Sequence, residues 1–239
     1  MRIQLIALFL FLPYFVQGSA NWMEVKGSGK IGERITIQLM YGHIDEYSTR
    51  HRDTGLELKL VGDFRLTVYD GEGVGTPIRI YPKMDCWEGT YIPKKKGVYH
   101  IVGLNDSHPV IDRSNRNGKN IRTIDYLCSD YYVGEDYSLA QHQQFIDIIQ
   151  LKSDSDLLEF KILKAGELVP ENSKLRVFNP ENWEKILVVN SRGIASFKPT
   201  IPGLYIIRYD WYDNVPDTFK GEAYNSIRHR CDYCFIYKE

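Results

Sequence analysis

The chain has 239 residues, with Lys+Arg 30 against Asp+Glu 31, a formal net charge of −1 and four cysteines. At about 150 residues per domain, that is one domain or two. Apolar content of 43% is enough for packed cores and excludes a disordered chain. The near-zero charge argues against an electrostatic nucleic-acid binder, and the cysteines are too few for a disulfide-framework miniprotein.

Arg2 is the only charged residue before Glu24, and residues 5–16 form an apolar run containing Pro13. Gly18 and Ala20 place small residues at the −3 and −1 positions of a cleavage site. This is the pattern of a secretory signal peptide over residues 1–20, cleaved after about Ala20. The run is shorter than the roughly 20 apolar residues of a membrane span, and no later segment reaches that length. The expected location is periplasmic or secreted, where disulfides are permitted.

Beyond the leader, helical periodicity is scarce and strand alternation is common. Residues 34–39, 56–60 and 64–68 alternate polar and apolar side chains, separated by turn signals such as Asp70-Gly71 and Gly73. Further strands are expected at 157–163, 175–178 and 186–189. Residues 205–211 place Tyr205, Ile207, Tyr209 and Trp211 on one face. Many short strands at this spacing predict an all-β protein of two immunoglobulin-like β-sandwich domains. The first is set at 21–142 and the second at 143–239. Residues 105–142, rich in Asn, Asp, Ser and Gly, read as a long loop in the first domain, with its tip at 115–120.

One segment recurs. Tyr91, Pro93, Gly97 and Tyr99 reappear as Phe197, Pro199, Gly203 and Tyr205, each at an offset of 106 residues. The pattern reads as strand, turn, strand, with Gly opening the second strand and its Tyr packing inward. Two related sandwiches explain it, and so does convergent use of one hairpin.

No Gly-x-Ser-x-Gly elbow or His-Glu-x-x-His motif is present, and Gly27-Ser-Gly-Lys30 has Glu24 where a P-loop needs its first Gly. Two His-containing clusters stand out instead. In residues 42–52, His43 and Asp45 are two apart and share a face of an extended chain, and His51 is able to fold back as a third ligand. A polar loop with surface histidines is the plainer reading. In Arg228-His-Arg-Cys-Asp-Tyr-Cys234, His229 and Cys231 share a face of the last strand. Cys234 falls on the opposite face, which makes it the weaker ligand candidate. Both cysteines also suit a core as small hydrophobes. Cys86 and Cys128, in the same exported domain, have a structural disulfide as the simple reading, with free buried thiols or extra ligands as alternatives. Tyr126, Tyr131, Tyr132 and Tyr137 crowd the expected loop, where they serve either as core or as a sugar-binding face.

The signal peptide, Gly42-His43 after the first long strand, and the Asp70-Gly71 turn fit one ordered pattern. It continues with Gly89-Thr-Tyr91-Ile-Pro93, Gly97-Val-Tyr99, Gly193-Ile-Ala-Ser-Phe197 and Pro202-Gly-Leu-Tyr205. Together these segments resemble the DUF4198 family, exported proteins of two β-sandwich domains related to periplasmic components of nickel and cobalt uptake. The resemblance implies transition-metal handling outside the cytoplasm, without catalysis. Asn21-Trp22 stands where some relatives carry a His beside the mature N-terminus. No membrane helix precedes Lys238-Glu239, so a permease would be a separate chain. The leading expectation is a non-catalytic metal-binding accessory or carrier using His43, Asp45, His51, His229, Cys231 and Cys234. Nickel or cobalt is favoured, with zinc and copper also compatible with such donors. The alternative is a metal-free module that binds glycan or a surface protein.

Overall fold

A computed structural model describes residues 20–114, 118–134, 140–153 and 156–238. Of the signal peptide expected over residues 1–20, residues 1–19 lie outside the described residues, as do the loop-tip residues Asn115, Arg116 and Asn117, and Tyr137.

In chain order the first part forms β1 (Ala20–Lys26), β2 (Ile35–Ile44), β3 (Arg50–Arg52), α1 (Leu56–Val61), β4 (Arg65–Tyr69), β5 (Gly75–Ile78), β6 (Tyr81–Pro82), β7 (Trp87–Tyr91), β8 (Gly97–Asn105) and β9 (Ile121–Val133). The second forms β10 (Ile146–Leu151), β11 (Leu158–Lys164), β12 (Glu167–Leu168), β13 (Lys174–Phe178), β14 (Glu184–Val188), β15 (Ile194–Phe197), β16 (Gly203–Asp213), β17 (Asp217–Phe219), β18 (Glu222–Tyr224) and β19 (Ser226–Tyr237). The protein is all-β, as the alternation predicts.

One sheet carries both parts. Its eight strands run β14-β13-β16-β19-β9-β8-β4-β5, and its central pair, β9 and β19, is parallel. A sheet of β1, β2, β3, β6 and β7 covers one face, and β10, β11, β12 and β15 cover the other. Successive side chains of a strand point to opposite faces, so each central strand feeds both cores. Ile101, Leu127, Ile206 and Cys234 join Trp22, Ile37 and Leu39 in one core. Val102, Tyr126, Cys128, Cys231 and Tyr233 join Ile148, Phe160 and Leu175 in the other. The boundary expected at 142/143 lies between β9 and β10, and strands from both sides of it share the central sheet.

The repeat is real at the level of hydrogen bonds. Gly97 and Gly203 open β8 and β16 with φ of 125° and 136°, a region that side chains disfavour. Tyr99 and Tyr205 turn inward and are buried. The Tyr99 hydroxyl accepts from the Lys95 amide at 3.0 Å, and the Tyr205 hydroxyl accepts from the Thr200 and Ile201 amides at 3.2 Å.

Three expectations are corrected. Residues 56–60 are helical: Leu58 and Val61, three apart, are the buried pair, while Leu56 is exposed. A five-residue alternation is too short to separate a strand from one helical turn. Within 105–142, the expected loop contains β9, a central strand paired on both sides. Burial on both faces removes the alternation by which strands are recognised. Finally, Cys86 and Cys128 are free thiols in opposite cores and cannot pair.

Candidate functional site

The first His cluster is a hairpin. In the β2–β3 register His43 lies opposite His51, and their rings stack at 5.2 Å between centroids. An added Cβ at Gly42 would collide with the His51 carbonyl oxygen, so only glycine lets the strands close here. The histidines are oriented by different carboxylates. His43 Nδ1 sits 2.9 Å from Asp53 Oδ1, and His51 Nε2 sits 2.7 Å from Asp45 Oδ2. With those nitrogens donating, the neutral rings keep lone pairs on Nε2 of His43 and Nδ1 of His51. Asp45 does not stand beside His43 as a ligand. Its Oδ1 accepts the Tyr47 and Thr49 amides at 2.9 and 2.8 Å, closing the turn. The His51 contact and the Thr49 amide hold the Asp45 carboxyl below the usual range.

The second cluster comes apart. Cys231 lies in one core with its Sγ 3.6 Å from Cys128 Sγ, while Cys234 lies in the other and accepts the Met23 amide at 3.4 Å. Burial raises both thiols, which suppresses the ligating thiolate. His229 shares the face of Cys231, yet both its ring nitrogens are occupied. Nδ1 lies 3.0 Å from the Tyr126 hydroxyl and Nε2 lies 3.2 Å from Asp213 Oδ2. Burial lowers its basicity despite Asp213. The two clusters do not converge. Among the described residues, no group of three or more His, Cys, Asp or Glu is arranged to hold a metal ion.

A different site forms where the hairpin meets the second part of the chain. A cavity of ≈ 250 Å³ opens between β1, the β2–β3 hairpin, β13, β14 and β16, walled by Trp22, His43, Arg50, Arg176, Phe178 and Arg208. Arg208 makes a buried bidentate pair with Asp232 at 2.6 and 2.9 Å. Arg176 and Arg230 share Asp210, at 2.6 and 2.8 Å. Arg50 lies over the Trp22 ring at 5.3 Å and donates through Nε and Nη2 to the neutral Asn182 amide oxygen, at 3.0 and 2.7 Å. Asn182 in turn donates to the Ser48 carbonyl at 2.6 Å, tying the hairpin to the β13–β14 turn. Tyr47, 81% exposed, and Trp183, 71% exposed, flank this junction along the chain.

A larger cavity, ≈ 630 Å³, lies elsewhere, between β1 and the ends of β9 and β19. Its polar groups are largely committed. The Tyr131 hydroxyl accepts the Gly29 amide, and Asp130 and Gln150 accept the Tyr233 hydroxyl.

Sequence reasoning reaches His43 and His51 and even their approach. It misses the arginines, which come from β3, β13 and β16 and carry no local motif. It also misses a buried triple of His100, Asp130 and Asp147, drawn from β8, β9 and β10. Among the described residues, no helix is long and apolar enough to cross a membrane.

No family model and no curated protein matches the chain. Among solved structures, it is similar to the tetra-tandem repeat in the extending region of a large adhesion protein, at 8% identity and a TM-score of 0.24. That comparison covers 92% of this chain and 50% of the other, so the chain spans half the length of the protein it matches.

Proposed function

We propose that this is an exported, non-catalytic interaction module of two related immunoglobulin-like sandwiches fused through one sheet. Its recognition surface is the seam between them, and a glycan is the partner that this surface fits best. The carrying observation is the cavity bounded by Trp22, Arg50 and Arg208; the exposed rings of Tyr47 and Trp183 belong to the chain neighbours of Ser48 and Asn182, whose hydrogen bond joins the hairpin to the β13–β14 turn. Such rings supply apolar faces for sugar stacking, and the guanidinium edges supply directional donors. The test is a glycan array probed with metal-free protein beside Trp183→Ala and Tyr47→Ala variants. Binding that falls in both variants supports the reading, and an empty array overturns it in favour of a protein partner or none.

A second reading keeps a metal at the hairpin, because the stacked His43–His51 pair has each ring backed by a carboxylate. Backing of this kind is what orients imidazoles toward a metal. In this reading the site is narrower than the six-residue set: two imidazoles bind nickel, cobalt, zinc or copper, and Asp45 and Asp53 act as outer partners. A separate permease would then receive the ion. Metal content of protein purified without tag or chelator, compared with His43→Ala/His51→Ala, decides it. A metal-free wild type that takes up no added ion removes this reading and leaves the interaction module untouched.

A further inference from the structure

We propose that the seam cavity is a subsite for one oxyanion, the carboxylate of a sugar acid within the partner glycan; this rests on the glycan reading above. Three arginines line the cavity, Arg50, Arg176 and Arg208. Arg208 pairs with Asp232, and Arg176 shares Asp210 with Arg230, which stands outside the lining. Glu184 also lines the cavity but is exposed at its rim.

Arg50 is the guanidinium left over. Among the described residues it has no carboxylate partner, and its hydrogen bonds go to the neutral Asn182. That contact uses Nε and one Nη2 donor. The Nη1 donors and the second Nη2 donor are left for a ligand, and a guanidinium edge matches a carboxylate in two parallel hydrogen bonds. Burial, with the neighbouring Arg208 charge acting in the same direction, lowers the Arg50 guanidinium from its ordinary value. An incoming anion offsets the Arg208 repulsion, adding to what the Asp232 and Glu24 charges already do.

The walls are aromatic as well as cationic, and Trp22, at 2% exposure, contributes an edge and not an open stacking face. Trp22 and Phe178 line the cavity, with the Arg50 cation 5.3 Å from the Trp22 centroid and the Arg208 cation 5.4 Å from the Phe178 centroid. The volume of ≈ 250 Å³ falls just under the roughly 300 Å³ lower end of drug-sized pockets. It suits one sugar unit of a longer chain.

The experiment is calorimetric titration of the purified protein with glucuronate, glucose and inorganic sulfate, repeated on Arg50→Gln and Arg50→Lys. The expected result is that glucuronate binds and glucose does not. Arg50→Gln weakens glucuronate by about tenfold or more, the loss of a charge-assisted hydrogen bond. Arg50→Lys also weakens it, because a point charge lacks the fork. Unchanged melting temperatures show that the variants are folded. Equal binding of glucose and glucuronate overturns the proposal, as does glucuronate binding indifferent to Arg50. Sulfate binding with no response to glucuronate overturns the sugar-acid assignment. Neutral glycans that bind the array and survive Arg50→Gln overturn this subsite while leaving the glycan-binding module standing.

Discussion

Replacing His100 by Gln tests the strongest electrostatic feature of the fold. Its Nδ1 lies 2.6 Å from Asp130 Oδ1 and its Nε2 lies 3.1 Å from Asp147 Oδ1, and the three side chains are 2%, 1% and 0% exposed. Burial opposes a charged imidazole, but the two carboxylates outweigh it and hold His100 well above the ordinary range. Removing the cation leaves two buried carboxylates, a class of lesion that costs about 3–5 kcal/mol. Part of their satisfaction survives: Asp130 keeps the Tyr233 hydroxyl, and Asp147 keeps the Gln143 and Ile148 amides. The loss expected is therefore near the lower end, about 3 kcal/mol. A pH signature accompanies it. With the folded-state value raised, folding takes up a proton, so the stabilisation is complete below about pH 6.5 and is lost as pH rises through the folded value. The slope reaches at most about 1.4 kcal/mol per pH unit. His229 has the opposite shift, which makes the difference between wild type and variant the quantity to read. Urea unfolding of both proteins from about pH 6 to pH 9 measures it. A loss below about 1 kcal/mol, or a difference between the two proteins that does not change with pH, would refute a buried imidazolium.

The paired tyrosines make a matched prediction: Tyr99→Phe and Tyr205→Phe each lose about 1 kcal/mol in denaturant melts, and a loss confined to one of them breaks the equivalence of the two hairpins. Gly203→Ala, at φ 136° with Pro180 carbons 2.9 Å from the new Cβ, costs about 1–3 kcal/mol in the same assay. Burial raises all four thiols, so a thiol reagent finds none in the native protein and all four in guanidinium chloride. Two missing thiols in the denatured count would reveal a disulfide.

Legibility followed burial. Strands with one wet face, such as β2 and β13, announce themselves, because Ile35, Ile37 and Leu39, or Leu175 and Val177, alternate with polar residues. The strand β9 has no wet face, and its Asp125, Ser129 and Asp130 read as loop residues although each is largely buried in the sheet. The alternation of 205–211 put Tyr205, Ile207, Tyr209 and Trp211 on one face, and that face meets one core, with Trp211 packed at its margin. Strand parity correctly sent Cys231 and Cys234 to opposite faces. The His43–His51 approach was legible because a hairpin is local. The arginine cavity was not, because Arg50 and Arg208 are 158 positions apart in the chain and meet only through the shared sheet.

That sheet bears on whether the two parts are separate folding units. The β9–β19 ladder pairs Ser226 through Tyr233 with Ile121 through Cys128. A fragment of residues 143–239 would lose this ladder and expose the backbone edge of β19. It would also lose Val102, Tyr126 and Cys128 from its core, while Ile206 and Cys234 would lose the core they enter. Each truncated apolar side chain withdraws about 1.5–3 kcal/mol of burial, and the bared strand edge offers itself to other chains. Three such side chains together withdraw about 4.5–9 kcal/mol, comparable with the lower half of an ordinary domain's stability of about 5–15 kcal/mol. The intact protein is therefore expected to melt in one calorimetric transition, and the isolated fragment to aggregate or remain unfolded. Two resolved transitions, or a soluble 143–239 fragment with dispersed amide resonances, would show that each part of the chain closes its own core and that the shared sheet is only a contact between finished domains.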